Sequence, residues 1–74
     1  MDENILKGMW KQLKGTVKET WGELTDDDLT EVEGNVEKLA GKLQERYGWS
    51  RERADSEISH FIEKARTDSD IYRT

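Results

Sequence analysis

Three groups of side chains in this sequence have types and spacings that could carry chemistry. The single histidine, His60, has Glu57, Glu63 and Lys64 within about one helical turn. It could transfer protons, but general base catalysis also needs a positioned nucleophile or a substrate pocket, so a solvated surface histidine is the simpler reading. The second group is the acidic run Asp26, Asp27 and Asp28, continued by Glu31 and Glu33. A calcium loop requires oxygen ligands at alternating positions, a central glycine and a closing bidentate glutamate, and that spacing is missing. Carboxylates gathered in the first turn of a helix, where the backbone amides lack partners, account for the run without a metal. The third group is Lys7, Lys11, Lys14 and Lys18, spaced four, three and four apart beside Trp10 and Trp21. On a helix these lysines share one edge, which with the two tryptophans forms a candidate interaction surface for nucleic acid or an anionic membrane. The same edge could face the stretch 26–47, which holds seven acids and three bases.

Composition narrows these readings. The chain has 74 residues, 12 Lys and Arg against 17 Asp and Glu, a net charge of −5 and no cysteine or proline. No Cys-based metal site, redox motif or disulfide framework can form. With no Ser/His/Asp arrangement and little bulk for a ligand pocket, neither enzyme activity, a cofactor nor a small-molecule substrate is expected. The acidic balance argues against a general polyanion binder, and residues 1–24 hold four bases and four acids. The longest apolar run is two residues, far short of a membrane span or the apolar core of a signal peptide, so a soluble, cytoplasmic protein is expected.

The elements that must position these groups are helical. Lys, Glu, Leu and Arg are abundant, and nothing alternates with period two. Leu6, Trp10, Leu13, Val17, Trp21 and Leu24 trace one stripe at steps of three and four. Leu29, Val32, Val36, Leu39, Ala40, Leu43 and Tyr47 trace a second, and Ala54, Ile58, Phe61, Ile62 and Ala65 a third. Three amphipathic segments are predicted at 4–22, 26–47 and 51–66. Thr25 is expected to cap the second, Gly48 to end it in the left-handed conformation, and Ser50 to cap the third, with Trp49 and Ala54 spaced as a hydrophobic staple. Residues 1–66 then form a single domain, and Thr67 to Thr74, with only Ile71 and Tyr72 apolar, a flexible tail.

The six glycines form two triplets, Gly8, Gly15, Gly22 and Gly34, Gly41, Gly48, each spaced by seven. A shift of 26 residues superposes them, along with Leu13 on Leu39 and Glu19 on Glu45, which suggests an internal duplication. Both triplets lie roughly opposite the apolar stripes. A kink or turn at Gly15 or Gly41 would divide the three segments into four or five short helices; the alternative is that the glycine faces admit close approach by another helix or keep the fold marginal.

The stretch WKQLKGTVKETWGELTDDDLTEVEGNVEKLAGKLQERYG resembles the CsbD-like family of small bacterial stress proteins, through its KG…KE…G series, LTDDDL, EG and LAGKLQERYG. The resemblance implies an all-α fold of short helices in a compact bundle, built as two helical hairpins related by duplication; with the segments and kinks above, the bundle has three to five short helices. It also implies expression under general stress control. It brings no catalytic residue, cofactor, metal or ligand to carry over. The composition further resembles the hydrophilins, strongly polar proteins associated with water deficit, which implies action by hydration or weak protein contacts.

Overall fold

The computed structural model describes the backbone of residues 3–73 and the side chains of residues 6–65. Five helices follow one another: α1 (Glu3–Gly8), α2 (Trp10–Thr20), α3 (Asp26–Val32), α4 (Val36–Tyr47) and α5 (Arg51–Arg73). No strand occurs among the described residues. The three stripes converge on one core, in which Leu6, Val17, Leu24, Leu29, Val32, Leu39, Leu43 and Ile58 are fully enclosed. Burying a leucine or isoleucine contributes about 1.5–3 kcal/mol, and these stripes supply nearly all of that term. α4 packs on both α3 and α5 and so lies at the centre of the bundle.

Each start and stop has a local cause. Thr25 accepts a hydrogen bond from the Asp28 amide, and the Asp28 carboxylate accepts one from the Thr25 amide, both at 3.1 Å, which closes a capping box at α3. Asn35 caps α4 by accepting from the Lys38 amide at 3.0 Å, and Ser50 caps α5 by accepting from the Arg53 amide at 3.1 Å. Gly48 ends α4 at φ 70°, its amide donating to the Gln44 carbonyl. Tyr47 and Trp49 stack at 4.4 Å across that turn, and the Arg53 guanidinium lies 4.6 Å above the Trp49 ring.

Two of the three predicted segments are divided, at places other than Gly15 and Gly41. Both of those glycines lie inside continuous helices, at exposed positions where an added methyl would meet nothing within 4 Å. The first segment bends instead at Met9, whose carbonyl accepts from the Gln12 and Leu13 amides to begin α2. The second breaks at Glu33–Gly34–Asn35, where Glu33 (φ 46°) and Gly34 (φ 81°) are both left-handed. The cause is a close crossing of chains. A methyl on Gly34 would lie 2.8 Å from the Lys7 Cα and 3.3 Å from the Leu6 carbonyl oxygen, so the turn rests directly on the end of α1. The 26-residue shift carries the start of α2 at Trp10 onto the start of α4 at Val36, and buried Leu13 and Val17 onto buried Leu39 and Leu43. The helical backbone of α5 runs to Arg73, through the positions assigned to a tail, whose side chains lie outside the described residues.

Candidate interaction surface

Of the four lysines of the first segment, Lys18 already has a partner. Lys18 Nζ lies 2.6 Å from Asp26 Oδ1 and ties the end of α2 to the start of α3. The Lys18 ammonium holds the Asp26 carboxyl below its ordinary range. Trp21 is 2% exposed and packs its ring 5.2 Å from that of Phe61, so it belongs to the core and presents no face to a partner. Its indole N–H is buried without a hydrogen-bond partner among the described residues. Lys7 and Lys11 are exposed, while Lys14 and Trp10 are half-buried.

A cation from elsewhere joins them. Where Gly34 rests on Lys7, the first turn of α4 comes alongside α1, and Lys7 and Lys38 line one shallow cleft together with Gly34 and Asn35. An adjoining cleft is lined by Trp10, Lys11, Lys14 and Thr30, and Glu33 is shared by both. Lys7, Lys11, Lys14 and Lys38 make no ion pair with a carboxylate among the described residues, although several acids stand nearby in sequence. Sequence reasoning missed Lys38 because nothing in the helical period links it to Lys7. The available signal was Gly34, the residue that permits the contact.

The opposite charge arrangement occurs between α3 and α4. Asp28 is 3% exposed, yet its carboxylate accepts from Arg46 Nε at 2.8 Å and Nη2 at 3.1 Å, and Lys42 Nζ stands 3.4 Å away. The Arg46 guanidinium holds the Asp28 carboxyl far below the usual carboxylate range, against burial, which pushes it up. Lys42 also reaches Glu31 at 2.5 Å, and that hydrogen bond is the main reason its ammonium is raised above its ordinary value. The acidic run therefore caps and pairs: Asp26 holds Lys18, and Asp28 anchors Arg46. Among the described residues no group of three or more His, Asp or Glu side chains is arranged to hold a metal ion. His60 is exposed on α5.

The family model described as CsbD-like matches residues 4–56, which takes in α1 from its second residue, all of α2 to α4 and the first six residues of α5. The chain belongs to the CsbD-like family. Its CsbD-like relatives include a UPF0337 protein of Pseudomonas aeruginosa, 56% identical over 64 residues, which covers 86% of this chain and 98% of that one. A UPF0337 protein of Xanthomonas axonopodis is 52% identical over 69 residues, covering 93% and 100% of the two chains. The UPF0337 protein YjbJ of Escherichia coli is 52% identical over 58 residues, covering 78% and 84%. The CsbD-like match includes both the Gly34 crossing and the Asp28–Arg46 pair, and stops before most of α5. No described helix is long and apolar enough to cross a membrane.

Proposed function

We propose that this CsbD-like protein is a non-catalytic, cytoplasmic stress-response protein that protects other macromolecules during water loss by keeping a hydrated, reversibly folded chain beside them. The observation that supports this reading most is the placement of Gly8, Gly15 and Gly41. All three are helical and exposed, and a methyl on any of them would meet nothing within 4 Å. Packing does not require glycine at these positions. Gly15 and Gly41, inside their helices, each cost about 0.5–1 kcal/mol relative to alanine, so roughly 1–2 kcal/mol of stability is forgone in a domain whose total is on the order of 4–11 kcal/mol. A fold held near its threshold opens readily, and a chain with mean hydropathy −1.03 stays soluble when it does.

The test is survival of a dehydration-sensitive enzyme through drying and rehydration, with this protein or an equal mass of an unrelated acidic protein added. More activity should be recovered with this protein, and less of that advantage with the stabilised Gly15→Ala/Gly41→Ala variant. Equal recovery with the unrelated protein removes the proposal.

A further inference from the structure

The unpaired cations on one face have a chemistry of their own, independent of the protective role. We infer that Lys7, Lys11, Lys14 and Lys38, which line two clefts that meet at Glu33, form a docking track for a single-stranded nucleic acid. Of the six other lysines and arginines whose side chains are described, Lys64 stands apart on α5, and Lys18, Lys42, Arg46, Arg51 and Arg53 are each within 4.0 Å of a carboxylate. The four lysines of this face are not, and they come from three separate helices that the Gly34 crossing brings together. Lys11 and Lys14 lie about one helical turn apart on α2, roughly 5 Å, a spacing that lets their ammonium groups meet successive phosphates, and Lys7 and Lys38 line the neighbouring cleft.

The half-buried Trp10 lines the same cleft as Lys11 and Lys14. A base stacks on such a ring only when it is unpaired, which selects a single strand over a duplex. Membrane binding would need a broad apolar face on the same helix, but Leu13 and Val17 of α2 are buried in the core. The net charge of −5 does not prevent docking, because at physiological salt a charge acts over about 8 Å and many of the acids elsewhere are already paired. It does make the interaction weak and strongly salt-dependent. Glu33, shared by the two clefts, sets an upper limit on the local positive potential.

Three titrations of the full chain test the inference: a labelled oligothymidylate of about 20 nucleotides, the matching duplex, and phosphatidylglycerol vesicles, each at about 20 mM salt. Expected is binding to the single strand with quenching of tryptophan emission and a log–log salt slope of about −2.8, or roughly 50-fold weaker binding between about 50 and 200 mM salt. Lys7→Gln, Lys11→Gln, Lys14→Gln and Lys38→Gln should each reduce the slope by about 0.7, whereas Lys64→Gln on α5 leaves it unchanged. Trp10→Phe should keep binding but lose most of the quenching, since Trp21 is enclosed and Trp49 is already stacked on Tyr47. Far-UV circular dichroism confirms that these surface variants fold. No binding to the single strand, vesicle binding without it, duplex binding as tight, or a slope indifferent to the four lysines would each overturn the inference.

Discussion

The two halves related by the 26-residue shift use the same apolar register and opposite polar strategies. In α3–α4 the helix starts are capped by side chains, Asp28 is enclosed with Arg46, and Lys42 is held by Glu31. In α1–α2 the start of α2 at Met9 has no side-chain cap, and three of the four lysines read from the sequence stand unpaired among the described residues. Equivalent positions also differ in backbone. Gly8 is helical and open, whereas Gly34 is left-handed and pressed against the end of α1. A repeated hydrophobic pattern therefore builds one core, while polar chemistry divides the surface into a locked half and an open half.

The glycine pair provides the largest test of that contrast. Gly34→Ala forces a non-glycine residue to φ 81° and drives its methyl to within 2.8 Å of the Lys7 backbone. Left-handed strain of about 1–2 kcal/mol and overpacking of about 1–3 kcal/mol predict a loss of about 2–5 kcal/mol, read as a lower midpoint of denaturant unfolding. Gly8→Ala, at the equivalent position, should be neutral or stabilising by less than about 1 kcal/mol. Equal effects at the two sites would mean that the halves do not differ as described.

The locked half should also carry the acid sensitivity. Asp28→Ala removes charge-assisted hydrogen bonds and one half of the capping box, an expected loss of about 2–3 kcal/mol by denaturant melting. Because the folded-state carboxyl is held below its unfolded value, its contribution is complete above the unfolded pKa, near 4, and is lost as pH falls further toward the folded value. Asp28→Asn should therefore be less stable than the parent at pH 7, with the difference narrowing as the pH is lowered through about 4 toward 2. A constant difference across that range would assign the loss to packing instead of charge.

The smallest effects fall on exposed helical positions, one in each half. Gly15→Ala and Gly41→Ala should each raise stability by about 0.5–1 kcal/mol, or roughly 4–8 °C per kcal/mol in a domain of this size. The two should add, since the sites share no neighbour within 4 Å. A decrease at either would indicate a helix broken there in solution.

Much of the architecture was legible in one dimension. Helical periodicity and capping chemistry are local, so the three stripes, Thr25, Ser50 and the stop at Gly48 could be read from residues within a few positions of one another. The family resemblance was carried by contiguous motifs for the same reason. The location of the breaks was not legible, because all six glycines have the same intrinsic freedom and only packing distinguishes Gly34 from Gly15 and Gly41. Trp21 carries two sequence readings, an apolar stripe and a surface edge, and the fold takes the first by enclosing it against Phe61, while Lys18 of that edge is held by Asp26. Lys38 joined the basic face, and Arg46 found Asp28, across separations of 31 and 18 residues in the chain. The sequence by itself determined which residues avoid water and where helices can begin, since these follow from each residue's own solvation and backbone preference. Which charges are neutralised by a partner and which remain free was decided only by the fold, because Coulombic pairing depends on distance through space and not along the chain.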